Sequence, residues 1–449
     1  MRYKRSLLSG WGNYPIIETH LYRPEKIRDL YPFPDEPSIL GRGLGRSYGD
    51  AALNDQGGMF LFTRLSRFLA FDETNGVLHA EAGVSFDEIL KIFVPRGWFL
   101  PVTPGTKFVT LGGAIASDVH GKNHHVDGAI SNYIVEIEVL LANGEKIICS
   151  RNQNKEVFEA TIGGNGLTGL IISAKLRLQS IETSFIKQFT IKAKNFEEAI
   201  ELFDTYDRQY RYSVAWVDSL AKGRSLGRSV VMFGNHAKIE DLHGSLAKDS
   251  LVVHSNPKLN IPFYFPSSVL NEFSLKGFNL FYYWKQIPKE KSVITHYNPF
   301  FYPLDGVNHW NRIYGKAGLL QWQCVIPLDD GKEGLQKILN EIQSSRHGAF
   351  LAVLKKMGPQ GGLLNFPMEG YTLALDFANR KGILELFKRL NKIVLGYGGR
   401  IYLTKDAHLE RRDFEQMYPR IEEWKKIKKE IDAQNKFISC QSKRLGLLN

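Results

Sequence analysis

The sequence contains few cysteines and no long apolar run. Its 449 residues include three cysteines, Cys149, Cys324 and Cys440, and none of them forms a CxxC pair. Neither a disulfide framework nor a zinc site built from cysteines is therefore expected. No stretch of 18 apolar residues occurs, so no membrane-spanning helix is expected, and the apolar run after the basic N-terminus stops at Gly10. We expect a cytoplasmic protein, with peripheral contact to the inner membrane left open.

The composition also lacks the biases of disordered or repetitive chains. With 43% hydrophobic and 23% charged residues, the chain is globular in composition and long enough for two or three domains. Its net charge of +11 favours an anionic partner. No nucleic-acid-binding module accompanies that charge, so no nucleic acid is expected. The densest basic cluster, in residues 425–429, is interpreted as the exposed face of a helix.

Short strands and glycine-rich turns alternate from about residue 36 to 180. Residues 77–82 have the pattern of a strand, and Ser85 with Glu88 forms a capping box that begins a helix. Residues 134–142 and 146–149 predict two strands joined by the turn Asn143-Gly144. Antiparallel pairing of this kind excludes a purely parallel nucleotide-binding fold.

A different pattern begins near residue 184. Strands are predicted at 185–192, 212–217, 321–326, 350–354 and 372–377, and helices at 196–206, around 335–342 and at 383–395. This pattern indicates an α+β unit, an antiparallel sheet with helices on one face. Residues 220–318 show no clear periodicity and are expected to be irregular. A strand at 400–403 and one last amphipathic helix are expected to return to the first domain.

Three glycine-rich segments are the candidate binding loops: residues 41–50, residues 104–106 with 110–114, and residues 163–169. The last contains a GxGxxG pattern, but a helical pattern precedes it and a strand pattern follows it, which argues against an NAD-binding turn. Glycines let successive N–H groups approach one phosphate, so three such loops could hold a pyrophosphate. Each loop taken alone is equally compatible with a tight turn. Side-chain donors beside the glycines favour binding: Arg46, Ser47, Thr106, Thr110 and Asn165.

These segments resemble the flavin-binding loops of the vanillyl-alcohol oxidase and p-cresol methylhydroxylase (PCMH)-type superfamily. A narrower resemblance, to the decaprenylphosphoryl-β-D-ribose 2′-oxidase family, rests on GWG at 10–12, RGLGRSYGD at 42–50, HGKNHH at 120–125, GGNGLTG at 163–169, WNRIYG at 310–315, QWQ at 321–323 and Lys405-Asp406. The resemblance implies an α+β protein with a PCMH-type FAD-binding domain in two parts, residues 1–183 and 400–449. Between them it implies an inserted antiparallel-sheet, substrate-binding cap, residues 184–399.

The resemblance also assigns roles to residues. The implied FAD-binding residues are Gly41, Arg42, Gly43, Leu44, Gly45, Arg46, Ser47, Tyr48, Gly49, Gly105, Thr106, Thr110, Leu111, Gly112, Gly113, Ser117, Asp118, His120, Asn123, Gly166, Ile171 and Tyr402. The implied substrate-binding residues are Lys122, Trp216, Phe301, Arg312, Gln321, Gln323, Lys355, Thr372 and Ala374. Lys405 is assigned to the pyrimidine edge of the flavin, where a fixed cation offsets developing charge. The catalytic base is not distinguished among His120, Tyr48 and Tyr402.

The sequence departs from the family pattern at three places. Ala374 stands where the family commonly has a cysteine, and Thr372 where it usually has an asparagine. The tyrosine that the family has before Pro-Leu-Asp is shifted, which leaves Phe301 and Tyr302 ahead of Pro303. These changes concern the sugar or the lipid rather than the flavin chemistry. Arg46 occupies the place at which many superfamily members attach flavin through a histidine, so FAD is expected to bind non-covalently.

The implied reaction is FAD-dependent oxidation of the 2′-hydroxyl of a polyprenylphosphoryl-ribose to a 2-keto sugar. A partner NADH-dependent short-chain reductase would then complete epimerisation to the arabinose donor for cell-envelope glycans. Two alternatives stay open: a soluble aldonolactone or sugar-alcohol oxidase that uses O₂, and a non-catalytic basic scaffold. The apolar residues 257–270 are interpreted as a lid that contacts a prenyl chain or a membrane surface. The histidines at 120, 124 and 125 are expected to pack near the flavin, and no metal is expected.

Overall fold

The computed structural model describes residues 2–257, 259–266, 268–345 and 347–448. Its helices and its mainly antiparallel sheets form an α+β structure. Lys258 and Ser267, which belong to the expected lid, lie outside the described residues. None of the helices in the described part of the chain has both the length and the apolar character needed to cross a bilayer.

The first sheet contains the N-terminal strands and carries the first glycine segment. Its members are β1 (Lys4–Ser9), β2 (Ile16–Tyr22), β3 (Ile39–Arg42) and β4 (Gly58–Leu61), in the order β1-β2-β4-β3. β1 and β2 are antiparallel, whereas β4 pairs in parallel with both β2 and β3. The first glycine loop therefore begins where β3 ends.

The second sheet is antiparallel and includes the predicted hairpin. Its region comprises β5 (Phe68–Asp72), β6 (Val77–Glu81), α1 (Phe86–Phe93), β7 (Trp98–Phe99), α2 (Leu111–Ala116), α3 (His124–Asp127), β8 (Ile134–Leu140), β9 (Lys146–Cys149), α4 (Lys155–Thr161), β10 (Leu170–Arg177) and β11 (Gln179–Ser180). The order is β5-β6-β10-β8-β9, and β7 pairs with β11. The capping box is confirmed: Ser85 Oγ accepts a hydrogen bond from Glu88 N, and the Glu88 carboxylate accepts one from Ser85 N. α3 begins directly after Asn123, so His124 and His125 lie in a helix that does not include His120.

The third sheet has eight strands. Its region comprises β12 (Phe185–Ala193), α5 (Phe196–Tyr206), β13 (Tyr212–Val217), β14 (Ser229–His236), α6 (Ser245–Lys248), β15 (Leu259–Asn260), α7 (Glu272–Trp284), β16 (Glu290–His296), α8 (Tyr297–Phe301), β17 (Val307–Asn308), β18 (Leu319–Ile326), α9 (Leu328–Ser345), β19 (Leu351–Met357), β20 (Gly370–Ala378), α10 (Ile383–Gly396) and β21 (Arg400–Ile401). The strand order is β16-β12-β14-β13-β19-β20-β18-β21, and every neighbouring pair is antiparallel.

Strand alternation gives this sheet two different faces. Side chains such as Trp322 and Cys324 on β18 belong to the core that contains the apolar faces of α5, α9 and α10. The intervening residues Gln321 and Gln323 point to the other face, as period-two alternation requires. That second face forms one wall of the cavity described below.

The expectation that residues 220–318 are irregular was wrong. They contain β14, β16 and the 13-residue helix α7. The helical period of α7 is obscured because the helix exposes Phe273 and Phe281 while its opposite face also carries apolar residues. A helix that is apolar all round shows no stripe in its sequence.

The C-terminal segment also differs from expectation. The strand predicted at 400–403 is the two-residue β21, and three helices follow in place of one: α11 (Arg411–Met417), α12 (Ile421–Ile431) and α13 (Cys440–Leu445). Lys428, expected on an exposed face, is fully buried and pairs with Asp432. Ile39 N donates to Lys436 O at 2.7 Å, so this segment packs against β3. The division of the chain at residues 183 and 399 stays a prediction.

Candidate active site

A large cavity lies between the glycine segments and the open face of the eight-stranded sheet. Its volume is about 580 Å³. All three glycine segments contribute to its wall, together with strands β13, β14, β18, β19 and β20 and residues 402–405. Two residues of α7, Phe278 and Tyr282, line its apolar end.

The first glycine loop offers a run of unused backbone donors. The N–H groups of residues 43–47 donate no hydrogen bond within the described part of the chain, although both flanks of the loop are held. Trp11 N donates to Ser47 O at 2.7 Å, and Tyr48 N donates to Thr404 O at 3.1 Å. Five consecutive free amides beside a cavity suit the oxygens of a pyrophosphate.

Two glycines of this loop are required by close approach. A Cβ on Gly43 would lie 2.2 Å from Thr110 Oγ1, and one on Gly49 would lie 1.8 Å from Asp406 O. The loop is thus pressed against both the second glycine segment and the chain after Lys405. Any larger residue at these positions would push the amides out of place.

The other two glycine segments offer fewer free backbone N–H groups to a pyrophosphate than expected. Leu111 N donates to Val84 O and Gly112 N to Ala82 O, both at 2.8 Å. These hydrogen bonds fix α2 on the second sheet, so these two amides are not free for a phosphate. In the third segment Asn165 N donates to Ala116 O, whereas the amide of Gly166 makes no backbone hydrogen bond among the described residues.

Arg46 is held between two aromatic rings. Its guanidinium carbon lies 3.8 Å from the ring centroid of Trp11 and 5.3 Å from that of Phe108. Its buried Nε has no hydrogen-bond partner among the described residues. A stacked guanidinium with an unused donor beside five free amides fits an anionic cofactor such as FAD.

His120 is a neutral imidazole tied to the sheet. Burial, with the nearby charge of Lys355, holds the pKa of His120 well below its usual value. Its Nε2 lies 3.0 Å from Gln323 Nε2, which also donates to Thr372 Oγ1 at 3.1 Å. In this arrangement His120 Nε2 is the acceptor, and Nδ1, which has no hydrogen-bond partner among the described residues, carries the proton.

Lys122 and Lys355 are two cations without a described carboxylate partner. Lys122 Nζ donates to Phe300 O, and Lys355 Nζ donates to Gly121 O at 3.4 Å. Burial lowers the pKa of each to about 7, helped at Lys122 by the charge of Lys355. Unpaired ammonium groups inside one cavity call for an anionic ligand.

Lys405 is the third lysine of the cavity wall. Its Nζ lies 4.0 Å above the ring of Tyr48, and burial lowers its pKa to about 8 against the opposing effect of Asp376. Asp376 is fully buried and accepts a hydrogen bond from Gln321 Nε2, and burial raises its pKa to about 6. The charge of this carboxylate favours the protonated form of Lys405.

The tyrosine candidates for the catalytic base are both protonated. Tyr402 donates its hydroxyl to Ser117 O at 2.8 Å, and burial raises its pKa. Burial, followed by the charge of Asp376, raises the pKa of Tyr48 well above 10. Neither hydroxyl ionises near neutral pH, and that of Tyr402 is already committed to a carbonyl.

The cavity brings together most of the residues named from the sequence. Those that lie outside its wall are Gly49, Leu111, Asp118, Asn123, Arg312 and Thr372. Asp118 accepts from Asn365 and Ser131, Asn123 donates to Pro101 O, and Arg312 donates to Ile261 O. Their contacts brace the loops around the site.

Three residues at the site had no role assigned from the sequence. Trp11 stood in a quoted motif, and its stacking on Arg46 depends on tertiary contact. Asp376 follows Thr372 and Ala374 at period two on β20, a signal that places all three on one face. Asp305, on the cavity wall, accepts from Lys107 N at 2.8 Å and carried no local signal. Among the residues described, no group of three or more histidines, cysteines or acids could hold a metal ion.

Comparison with known proteins identifies two family matches. Residues 35–150 match the FAD binding domain, and residues 320–445 match D-arabinono-1,4-lactone oxidase. Decaprenylphosphoryl-β-D-ribose oxidase of Mycolicibacterium smegmatis is 37% identical over 98% of this chain and 97% of its own length. An uncharacterised protein of Streptomyces coelicolor is 28% identical over 81% of this chain and 100% of its own length. L-gulonolactone oxidase of Scyliorhinus torazame is 27% identical over 45% of this chain and 46% of its own length.

Proposed function

The chain belongs to the decaprenylphosphoryl-β-D-ribose oxidase family, and from this premise we propose that it oxidises the 2′-hydroxyl of a polyprenylphosphoryl-ribose to the 2-keto sugar. It is an FAD-dependent oxidoreductase with the two-part PCMH-type fold and its cap. Bound FAD supplies the acceptor for the hydride that leaves the sugar carbon. The remaining steps depend on residues of this chain.

The observation that carries the proposal is the pair of unpaired lysines. Lys122 and Lys355 sit in the cavity wall with no described carboxylate beside them, and their pKa values near 7 leave them substantially charged at neutral pH. A phosphodiester brings the missing negative charge. An uncharged lactone or polyol would leave both ammonium groups uncompensated, so the pair favours a phosphate-linked sugar.

The apolar end of the same cavity suits the lipid. Trp216, Phe278, Tyr282 and Phe350 line it, and their rings pack in pairs, Trp216 on Tyr282 and Phe278 on Phe350. A ligand with a polar sugar phosphate and an apolar tail matches this division of the cavity into a cationic and an aromatic part.

The polar residues orient the sugar. The Nδ1–H of His120 is free to donate to a sugar oxygen, and Gln323 holds the ring in this tautomer. Lys405, with Asp376 as its buried counter-ion, keeps a positive charge at the side of the cavity near Tyr48. A fixed charge that interacts more strongly with the transition state than with the ground state raises the rate.

The test is turnover of a defined substrate by the purified holoenzyme. Farnesylphosphoryl-β-D-ribofuranose with a dye acceptor should reduce the dye, and borodeuteride trapping should place deuterium at C2′. The 2′-deoxy analogue and free ribose serve as controls and should be inert. Absence of turnover with the farnesyl substrate would contradict the proposal.

The match of residues 320–445 favours one rival, an aldonolactone oxidase. That enzyme would oxidise L-gulono- or D-arabinono-1,4-lactone and release peroxide from O₂. Faster turnover of either lactone than of the phosphodiester, with stoichiometric peroxide, would support the rival. For the reaction sequence we propose that a separate NADH-dependent short-chain reductase consumes the keto sugar, completing epimerisation for cell-envelope glycans.

A further inference from the structure

Helix α7 exposes a continuous apolar stripe. Phe273 is 85% exposed, Phe281 68% and Trp284 57%, and Leu280 between them is also exposed. These residues follow Phe273 by 7, 8 and 11 positions, which places all four on one side of a helix. Ile287, just beyond the helix, is exposed as well.

The stripe belongs to the segment of the described chain in which exposed apolar side chains are most frequent. Of 21 large hydrophobic residues that the described chain exposes, nine lie within residues 259–287, and these nine are called the apolar patch: Leu259, Phe263, Tyr264, Val269, Phe273, Leu280, Phe281, Trp284 and Ile287. Single exposed hydrophobics are ordinary, whereas a contiguous group marks an interaction surface.

The other side of α7 belongs to the cavity. Phe278 and Tyr282 line its apolar end, and Tyr282 packs on Trp216 with ring centroids 4.4 Å apart. One helix therefore separates the apolar end of the cavity from the apolar patch. Whatever covers the outer face of α7 is therefore only one helix away from the part of the cavity that suits a lipid tail.

The segment that carries the patch has a small excess of positive charge, although Lys276 pairs with Glu272 and Lys289 with Glu198. Residues 259–291 contain four lysines and two glutamates and no other charged residue. Lys285 has no described carboxylate partner, and its Nζ lies 3.9 Å from the ring centroid of Tyr282. Basic residues beside protruding aromatic ones complement an anionic lipid surface.

We propose that the exposed face of α7 docks this protein on an anionic lipid monolayer, so that the prenyl chain of its substrate passes from the membrane to the cavity beside Phe278 and Tyr282. The second part rests on the proposed function, whereas the docking does not. The patch is a convex helix face with side chains that protrude, the shape of an interfacial helix rather than of a groove for a peptide. A bilayer is therefore favoured over a second protein as its occupant.

Vesicle co-sedimentation of the holoenzyme tests the docking without any substrate. Vesicles of phosphatidylethanolamine and phosphatidylglycerol should retain the parent protein, and phosphatidylcholine vesicles should retain much less. The double variant Phe273→Ser/Phe281→Ser should bind the anionic vesicles at least about tenfold more weakly. The matched control Leu7→Ser/Ile239→Ser removes exposed apolar side chains elsewhere and should bind like the parent.

Gly277 provides a gain-of-binding test. It lies on the same stripe, and a Cβ there would meet no atom within 4 Å. Gly277→Leu should therefore extend the patch without disturbing the fold and should strengthen binding to anionic vesicles by several fold. Unchanged or weaker binding by this variant, in a protein with the parent's FAD content, would overturn the proposal.

Turnover separates the docking from the reaction. The double variant should oxidise a decaprenyl substrate in vesicles at least about tenfold more slowly and a farnesyl substrate in solution within about twofold of the parent. Vesicle binding without turnover of either substrate by the parent would contradict the proposed function alone. Equal vesicle binding by the double variant and its control would overturn the docking, as would a parent dimer that the double variant converts to a monomer.

Discussion

Arg444 connects the first glycine loop with the chain after Lys405, and its removal should lower the free energy of unfolding substantially. Its guanidinium donates to both carboxylate oxygens of Asp50, at 2.7 and 3.0 Å, and to Asp406 at 2.8 Å. Asp50 ends the first glycine loop, and Asp406 follows Lys405. Arg444→Met would remove the shared counter-ion of both acids, of which Asp50 is 5% and Asp406 1% exposed.

The size of this loss depends on the hydrogen-bond donors that Asp50 and Asp406 keep in the variant. Asp406 keeps two backbone donors, His408 N at 2.9 Å and Leu409 N at 2.8 Å, whereas Asp50 loses its side-chain partner. Breaking a buried ion pair usually costs about 3–5 kcal/mol of the free energy of unfolding. Because the Arg444 side chain is 25% exposed, we expect the lower end, about 3 kcal/mol. The dissociation constant for FAD should rise too, because the ion pair between Arg444 and Asp50 holds the end of the first glycine loop in place.

Urea unfolding followed by tryptophan fluorescence, with FAD release monitored in parallel, measures both effects. Arg411→Met is the matched control, because that arginine pairs with Glu415 on an exposed face, and it should cost less than about 0.5 kcal/mol. Adding Asp50→Asn to Arg444→Met should restore part of the lost free energy of unfolding, because the double variant no longer buries the unpaired carboxylate of Asp50. A loss below about 1 kcal/mol, or no recovery in the double variant, would refute the reasoning.

The pH dependence of that cost has a definite sign. The pKa of Asp406 is lowered in the folded protein although burial opposes this, because the charge of Arg444 and the backbone donors favour the carboxylate. Its contribution to stability is therefore present above its unfolded pKa and is lost as the pH falls through the folded pKa. The difference between parent and Arg444→Met should shrink in acid.

Further predictions concern the cavity. Acid precipitation should leave all FAD in the supernatant, because Arg46 stands where relatives carry a flavin-linked histidine; colour in the pellet would contradict non-covalent binding. Lys405→Met should retain FAD but slow anaerobic flavin reduction about a hundred- to a thousandfold, whereas a rate within about threefold of the parent would make Lys405 a bystander. Lys355→Met should raise KM for the phosphodiester at least about tenfold, and Lys356→Met should not, because Lys356 faces away and pairs with Asp204 at 2.9 Å. For the parent, kcat/KM should fall as the pH rises through about 7, where Lys122 and Lys355 lose charge; a flat profile would count against their role.

Local pattern was sufficient for elements with one clear period. The bounds predicted for α5, 196–206, and for β13, 212–217, agree with the structure, and so does the Asn143-Gly144 turn. Helix α7 was missed because both its faces are apolar, including the face that the fold leaves exposed. A period becomes visible in a sequence only where one face is buried and the other is in water.

The candidate site divides in the same way. Its glycine loops, with Lys122, Lys355 and Lys405, were named from short motifs and from the resemblance these carry. The tertiary structure decided that residues 402–405 contact the first and third loops, through Tyr48 N to Thr404 O and Thr404 Oγ1 to Asn165 Oδ1, and the C-terminal end of α2, through Tyr402 Oη to Ser117 O. It also decided that Arg46 stacks on Trp11. Glycine spacing and strand alternation are properties of neighbouring residues and can be derived from the chain, whereas the charge, stacking and burial of a cavity wall depend on residues hundreds of positions apart that meet only when the sheets pack.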